Sequence, residues 1–478
     1  LGTAGGACKT VGCEAEPRNQ IYGTRKIGGV LRKVPNNLTG ECKMNGCLSC
    51  WILTIGTLVI QWSVTSLTHA QTTSQVVAND ARDWSSFRGP TGQGRSSNTA
   101  LPIEWSETKN IAWKVSLPGP GASSPIVFGD HIYITCYTGF FVPGDESGSQ
   151  KDLKRHLLCL SRKDGTTLWS RAIDAKLPEE DRIRDHGFAA NTPVADEQGI
   201  YCFFGKSGVV VFNHQGETLW QADVGSKTHG WGTSASPVLH QGMVYINASV
   251  ESESLVALDR ASGKEQWRAD GIREAWNTPV VVQNIHGKPE LIMATQGSIQ
   301  SFDPQSGKKL WACDTDIKWY MVPSIVAHDG IVYCLGGRSG TASLAVRTGG
   351  AGDVTKTHRL WTGIKGSNVS SPIVHQGHLY WMNDNLGIAY CAKAETGNIE
   401  YETRMNRSGQ VYASALLAGD RIYYLTRDGR TFVVTAKPEF EQLALNDLKD
   451  GSIFNGSFAV DGNRLLVRSD KYLYAIGN

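Results

Sequence analysis

Apolar and polar positions alternate along this chain in short runs, and one arrangement of them recurs. Its clearest copy, residues 258–267, consists of an apolar strand end, a polar turn and the start of a second strand. In it, Asp259 can accept hydrogen bonds from the turn amides, Gly263 can adopt a positive φ, and Trp267 supplies a large apolar ring. Variants occur at residues 160–169, 212–220, 302–311 and 391–401. A unit of short strands that returns every ~40 to 55 residues is typical of a propeller blade.

A second motif opens each unit: a small hydroxyl residue, an apolar pair, and a strand that contains a tyrosine. The tyrosine stands nine residues after the hydroxyl in the copies that begin at Ser124, Thr192, Ser236, Ser324, Ser371 and Ser414. Thr278 opens in the same way but is followed by an insertion at residues 284–289. Ser457 keeps the spacing and has Leu466 in place of the tyrosine. The motif therefore predicts eight units.

Large aromatic residues at the ends of the units give a matching count. Seven units end at Trp169, Trp220, Trp267, Trp311, Trp361, Tyr401 and Phe440. Residues 111–115, which include Trp113, precede the first opening and have no unit of their own. We expect this strand to complete the last blade, because ring closure pairs edges that would otherwise be exposed. The sequence thus predicts an all-β, eight-bladed propeller of four-stranded antiparallel blades over residues 109–478, with seven blades as the alternative.

The charge of the predicted propeller is close to neutral. The whole chain has 47 basic and 45 acidic residues, a formal net charge of +2. Residues 1–70 contain 7 of the basic and 3 of the acidic residues, which leaves 40 against 42 in the remainder. We therefore expect no nucleic-acid partner, because a near-neutral surface offers no electrostatic footprint for one.

The first 70 residues have the features of a leader. Residues 1–43 show no hydrophobic period, so we interpret them as a disordered leader of doubtful translation, with the natural start at Met44. Residues 44–70 resemble a signal peptide, with an apolar core at 50–64 and small residues at Thr68 and Ala70. The core is short, and Gln61 interrupts it, so an uncleaved anchor is the weaker alternative. The interpretation predicts a monomer exported to the periplasm or cell envelope, with no stable membrane span after cleavage.

Residues 71–108 are polar and irregular, and we expect them to pack on a face of the propeller through Trp84 and Phe87. The glycines at 89–94 are not followed by the Lys-Ser/Thr of a phosphate loop. Beyond residue 70 the cysteines are Cys136, Cys159, Cys202, Cys313, Cys334 and Cys391, and no two of them form a Cys-x-x-Cys pair. We interpret them as small buried apolar residues, with a disulfide between Cys136 and Cys159 as the alternative in an exported chain.

The turn pattern Asp-x-x-Ser/Thr-Gly-Lys-x-x-x-Trp and the eight openings resemble those of the quinoprotein-like (PQQ-repeat) propellers. Residues 84–90, together with Leu101, Pro102 and Trp105, resemble the head of a secreted PQQ-like subgroup of environmental bacteria. The resemblance implies that the outer tryptophans dock between neighbouring blades; these are Trp113, Trp169, Trp220, Trp267, Trp311 and Trp361. It also implies one of two functions. Quinoprotein alcohol and glucose dehydrogenases hold PQQ and Ca²⁺ in the central funnel, whereas the propeller subunit of the outer-membrane β-barrel assembly machinery binds partners without a cofactor.

The sequence departs from both branches. It has no Cys-Cys pair to stack on a quinone, and no calcium-liganding Glu and Asn with a catalytic Asp in a recognisable context. Trp231 or Trp276 could stack on a quinone, but the converging polar set is missing. The lipobox of the assembly subunit is also missing, which puts a lipid anchor in doubt.

Candidate binding residues lie in the loops that enter each innermost strand, because these loops surround the central channel of a propeller. We select His186, Asn191, His229, Trp231, Trp276, Tyr320, Asn368 and Tyr412. The alternative is that the aromatic rings only fill the channel. His186 and His229 occupy equivalent positions, but a shared metal needs a third ligand, and only Asp185 and Glu274 are near in sequence. We expect loop histidines bonded to backbone, no resident metal and no cofactor.

No nucleophile–base–orienter set is recognisable in the sequence, so we assign no catalytic residue. The prediction is an exported, non-catalytic module that binds an envelope protein or a small ligand through its channel rim. The alternative is a divergent oxidoreductase that depends on PQQ and Ca²⁺ or on another metal.

Overall fold

The computed structural model describes residues 83–145, 147–318, 321–337 and 340–477. The predicted leader and signal peptide, residues 1–70, lie outside these ranges, and so does Tyr320. Within the described ranges no helix has the length and apolar character needed to cross a membrane.

The described residues form eight sheets, and each sheet contains one four-stranded blade, with a short additional strand in two of them. Two strands precede the first blade: β1 (Arg95–Ser96) and β2 (Ile111–Ser116). Blade 1 contains β3 (Ile126–Phe128), β4 (His131–Thr138), β5 (Lys154–Ser161) and β6 (Thr167–Asp174). Blade 2 contains β7 (Val194–Asp196), β8 (Gly199–Phe203), β9 (Val209–Phe212) and β10 (Thr218–Ala222). Blade 3 contains β11 (Val238–His240), β12 (Met243–Ala248), β13 (Ser254–Asp259) and β14 (Glu265–Asp270). Blade 4 contains β15 (Val280–Gln283), β16 (Pro289–Thr295), β17 (Ser298–Phe302) and β18 (Lys309–Asp314).

The second half of the ring repeats this order with small additions. Blade 5 contains β19 (Val326–His328), β20 (Ile331–Leu335), β21 (Ser343–Arg347) and, after β22 (Gly352–Asp353) and α1 (Thr355–His358), β23 (Arg359–Gly363). Blade 6 contains β24 (Ile373–His375), β25 (His378–Met382), β26 (Ile388–Lys393) and β27 (Ile399–Arg404). Blade 7 contains β28 (Leu416–Ala418), β29 (Arg421–Leu425), β30 (Arg430–Thr435) and β31 (Gln442–Asp447). Blade 8 contains β32 (Ala459–Asp461), β33 (Arg464–Arg468) and β34 (Tyr472–Ile476). Short 3-10 helices lie at Gln150–Asp152 and Gly205–Ser207.

The N-terminal strand closes the ring. Strand β2 pairs antiparallel with β34 and becomes the outermost strand of blade 8, with Trp113 opposite Ala475. The predicted fold is therefore confirmed in its class, its eight blades and its manner of closure. Closure joins the first described strands to the last ones, so no blade is left at an open end of the array.

Every outer strand carries a one-residue bulge, and the bulge fixes the position of the aromatic residue. In blade 1, Leu160 pairs with Thr167 and Cys159 pairs with Trp169, so Leu168 is the extra residue. In blade 7, the equivalent partner of Val433 is Ala444. The assignment of Phe440 as the outer aromatic of this blade is therefore wrong. Phe440 precedes β31 and packs edge-to-face on Tyr401 of blade 6, with 5.4 Å between ring centroids.

Outer tryptophans contact the turn of the next blade. The indole Nε1 atoms of Trp169, Trp220, Trp267 and Trp361 donate to carbonyl oxygens there, at 2.9 to 3.1 Å. A turn glycine lies against each ring, and a Cβ added to Gly263 would come 2.4 Å from the Trp220 ring. Gly263 also has a φ of 72°, so the turn needs glycine both for its backbone and for the close approach. Trp113 contacts Gly165 of blade 1 in the same way.

Trp311 follows a different pattern. Its Nε1 donates to the Glu290 carboxylate of its own blade at 2.7 Å. Glu290 is buried and also accepts hydrogen bonds from Asn284, Ser301 and the Gly349 amide. In blade 4, therefore, the buried Glu290 carboxylate stands between the indole and the turn of the next blade, bonding Trp311 on one side and Gly349 of blade 5 on the other.

The six cysteines beyond residue 70 are buried and free. The register of blade 1 sets Cys136 opposite His156 and Cys159 opposite Tyr133, so the two thiols are not neighbours across the strands. The alternative of a disulfide between them is therefore wrong. Burial raises the pKa of both thiols to about 12, which keeps them protonated and unreactive.

Candidate functional site

The centre of the propeller holds a cavity of about 610 Å³ that all eight blades line. Its upper part, which we call the mouth, is formed by the loops that enter the innermost strands and by loops that join the second and third strands of blades 6 and 7. Both kinds of loop lie at the same end of an antiparallel blade, because the chain reverses at every strand.

A closed ring of hydrogen bonds surrounds the cavity below the mouth. The backbone N–H of each opening Ser or Thr donates to the hydroxyl oxygen of its counterpart in the next blade. The ring runs Ser124, Thr192, Ser236, Thr278, Ser324, Ser371, Ser414, Ser457 and back to Ser124, at 2.9 to 3.2 Å. This hydroxyl ring explains the motif that opens each unit, because each blade needs an acceptor at that position to satisfy a buried N–H.

The N-terminal segment closes the cavity from below. Trp84, Ser85, Gln93 and Gly94 bond to Val127, Ala195, Ala327 and Leu417 respectively. Each of these four partners stands three residues after the hydroxyl of its own blade. The segment therefore crosses the channel at one level under the hydroxyl ring. Trp84 is buried, and Phe87 contributes to the cavity lining.

One side of the mouth is aromatic. Trp276 is buried, and its Nε1 donates to Gly232 O at 2.8 Å. The edge of the His229 ring packs on Trp276, with 5.2 Å between centroids, and His229 Nδ1 accepts from the Trp231 amide. The guanidinium of Arg184 lies 5.0 Å from the centre of the half-buried Trp231 ring. We call Trp231 and Trp276 the aromatic wall.

The other side of the mouth is a chain of hydrogen-bonded side chains, which we call the polar arc. Its members are Asn368, Asp384 and Asn385 of blade 6, Gln410 and Arg427 of blade 7, Asn455 of blade 8, and Asp185 in the loop before blade 2. Asp384 accepts from Asn368 and Asn385, and Gln410 donates to Asn385 at 3.0 Å. Arg427 donates to Gln410 at 2.9 Å and to Asn455 at 3.0 Å.

The loop before blade 2 completes the arc. Asn455 donates to the Asp185 carbonyl at 2.8 Å, and the Arg427 guanidinium reaches both the carbonyl and the carboxylate of Asp185. Asp185 has a φ of 69°, an uncommon conformation for a residue other than glycine. The guanidinium of Arg427 also lies 4.3 Å from the centre of the Tyr412 ring. These contacts hold the arc in one arrangement, with its amides oriented before any ligand arrives.

The candidates from the sequence divide into three groups. His186, Trp231, Trp276, Asn368 and Tyr412 line the cavity. Asn191 and His229 lie behind the lining, where Asn191 is buried and donates to Ala235 O at 2.7 Å. Tyr320 is outside the described residues. Asp384, Asn385 and Arg427 were missed, although the polar run at 383–385 directly after an apolar strand is a signal for the loop that carries two of them.

The two histidines contact backbone and aromatic groups. His186 Nδ1 lies 3.2 Å from Gly187 O, and burial lowers the pKa of the imidazole, which is therefore neutral at pH 7. Among the described residues, no three His, Cys, Asp or Glu side chains converge where a metal ion could bind.

Comparison with known proteins identifies a matching family and several structures of similar fold. A family model described as "Outer membrane protein assembly factor BamB" matches residues 153–401. Similar solved structures include BamB from Moraxella catarrhalis, at a TM-score of 0.53 and 13% identity over 77% of this chain and 97% of that one. Quinohemoprotein alcohol dehydrogenase from Comamonas testosteroni has a TM-score of 0.55 and 12% identity over 84% and 82%. The computationally designed Ika8 protein has a TM-score of 0.54 and 11% identity over 77% and 100%.

At these identities the structural likeness concerns the fold alone. A search of curated proteins found no match. The family match, however, spans more than half of the chain, and it agrees with the eight repeats and the turn motif seen in the sequence. The protein therefore belongs to the PQQ-repeat propeller family described by the BamB model.

Proposed function

We propose that this protein is an exported, non-catalytic binding module that holds its ligand at the mouth of the propeller channel. The polar arc is the observation that carries the proposal. It presents oriented amide and carboxylate groups around a cavity that is closed from below, which is the arrangement of a preformed ligand site. Among the described residues that line the cavity, no Ser or Thr hydroxyl is hydrogen-bonded to a His, Asp or Glu side chain. Export is supported by the signal-like residues 44–70 and by the family description.

The charges at the mouth decide whether a quinone cofactor would fit there. PQQ carries several carboxylates, so its site needs an excess of cationic side chains. The charged residues that line the described cavity are Arg184, Asp185 and Asp384, and Arg427 is bonded to Asp185 beside them. Arg184 lies over Trp231, and Arg427 is bonded to Gln410 and Asn455. These residues do not fit a polyanionic quinone.

Binding at the mouth is tested by capture from cell-envelope extracts with the full exported chain as bait. We expect wild type to retain a ligand or protein that Gln410→Ala loses, because Gln410 is exposed and joins two parts of the arc. Gln198→Ala, an exposed glutamine in the turn between β7 and β8 at the other end of the blade, is the matched control and should bind as wild type does. Equal retention by all three proteins would show that the mouth is not the site.

The oxidoreductase alternative has a separate test. Purified protein is incubated with PQQ and Ca²⁺ and assayed for dye-linked oxidation of alcohols. We expect no activity above the protein-free control, whereas saturable activity would overturn the non-catalytic assignment.

A further inference from the structure

We propose that the ligand of the mouth is a neutral oligosaccharide, an inference that rests on the proposed binding function. The geometry that suggests it is the placement of the polar arc opposite the aromatic wall. In a ring of eight, blade 3 lies opposite blade 7 and blade 4 opposite blade 8. Trp231 and Trp276 enter from blades 3 and 4, and most of the arc belongs to blades 6 to 8. A ligand in the cavity therefore meets rings on one side and amides on the other.

A pyranose has the same two-sided character. Its C–H face is apolar and stacks on an aromatic ring, while its hydroxyls lie at the edge and form hydrogen bonds. Trp276 is buried and fixed in place by its bond to Gly232 O, so it supports the wall from behind. Trp231 is partly exposed in the lining, and the exposed side chain of Arg184 lies over its ring, so a sugar that stacks on Trp231 takes the place of Arg184 there.

The arc offers both donors and acceptors, which hydroxyl groups require because each hydroxyl donates and accepts. Asp384 is buried in the lining, and within the described residues it accepts hydrogen bonds from the neutral amides of Asn368 and Asn385. Asp384 contributes to the cavity lining, so its carboxylate is an acceptor that a sugar hydroxyl in the cavity would meet. Gln410 uses one N–H of its amide on Asn385 and retains the other as a donor.

The charges around the cavity favour a neutral saccharide over an anionic ligand. The cavity lining has one cationic residue, Arg184, and two anionic ones, Asp185 and Asp384, and Arg427 is bonded to Asp185, so an anionic ligand gains no net attraction from these groups. Extended peptides are often held by backbone hydrogen bonds to an exposed strand edge, whereas the polar groups described in the arc are side-chain amides, carboxylates and a guanidinium group. Because the segment with Phe87 closes the cavity from below, the site suits the end of a sugar chain rather than its middle.

The test is calorimetric titration of the purified exported chain with maltose, cellobiose and N,N′-diacetylchitobiose, each to roughly 10 mM, a range that detects millimolar affinities. We expect saturable binding of at least one of them. Trp231→Ala and Gln410→Ala should each weaken it by tenfold or more, while Gln198→Ala leaves it unchanged. Thermal unfolding of each variant verifies that the propeller is intact. Sialyllactose and PQQ serve as anionic probes and should bind more weakly than the neutral sugars.

The outcomes separate this inference from the proposed function. Binding of a neutral sugar that is lost in both mouth variants supports both. If no neutral sugar binds, or if only an anionic probe binds, the saccharide assignment is wrong. In that case, envelope capture that still depends on Gln410 would leave the binding function standing with a protein ligand. If capture is also insensitive to Gln410→Ala, both proposals fail.

Discussion

The hydroxyl ring gives the sharpest prediction about what holds this propeller together, and Ser371→Ala is the perturbation that isolates it. Ser371 is buried between blades 5 and 6, and its hydroxyl accepts the Ser324 N–H at 3.0 Å. Its own N–H donates to Ser414 at 3.2 Å, and alanine keeps that bond because the donor is backbone. The substitution therefore removes one acceptor from the ring and leaves the rest of the ring in place.

The expected cost follows from the donor that is left behind. Leaving a buried N–H without a partner costs about 1–3 kcal/mol of folding free energy, more than the net value of the hydrogen bond itself. Alanine retains the Cβ, so the cavity is no larger than one oxygen atom. Ser371→Thr keeps the acceptor, and Thr192 and Thr278 show that the ring accommodates the extra methyl group. We therefore expect Ser371→Thr to lie much closer to wild type than Ser371→Ala.

Guanidinium unfolding followed by tryptophan fluorescence measures the difference, with the slope of the transition compared between variants. Ser170→Ala is the control, since Ser170 is exposed on outer strand β6; its expected effect is within about 0.5 kcal/mol. If Ser371→Ala is as stable as Ser170→Ala, or if the Thr and Ala variants lose equally, the hydroxyl ring does not stabilise the blade contacts.

Two further predictions concern the blade contacts and a buried acid. In the same assay, Gly263→Ala should lower the free energy of unfolding by about 1–3 kcal/mol more than Gly271→Ala does. Both glycines have a positive φ, but only a Cβ at 263 meets the Trp220 ring. Equal losses would mean that the tryptophan contact is not tight. Burial raises the pKa of Glu251 to about 8, from an ordinary value of 4.5. Its carboxyl therefore destabilises the fold progressively as pH rises between these values, at about 1.4 kcal/mol per pH unit as an upper bound, and this penalty levels off above pH 8. Glu251→Gln should accordingly gain stability relative to wild type between pH 5 and pH 8, and a difference that does not change with pH would contradict the buried, protonated carboxyl.

The fold could be predicted from the sequence because the same short motif opens every blade. The hydroxyl openings could be counted because each one satisfies the same N–H in a neighbouring blade, so the chemistry recurs with the unit. The closing strand could be predicted because a ring leaves one strand at each end to be paired. Phe440 was misassigned because the aromatic position depends on the bulge in the outer strand, and a bulge is set by pairing with another strand rather than by local composition.

The site was predicted only in part, because its residues meet over long distances in the chain. The loops at the mouth follow from topology, and they gave Trp231, Trp276, Asn368 and Tyr412. The bond between Arg427 and Asp185 joins residues 242 positions apart, and neither residue has a local pattern that points to the other. Asn191 is a predicted rim residue that does not line the cavity, because its side chain turns inward and bonds to backbone.

The most direct test of the central claim is a crystal structure of the exported chain grown with each neutral disaccharide of the titration panel. The account predicts a sugar ring stacked on the aromatic wall, with hydroxyls within hydrogen-bond distance of Asp384 or Gln410. A mouth that stays empty with all three sugars, or a sugar bound on the outer surface of the blades, would contradict it.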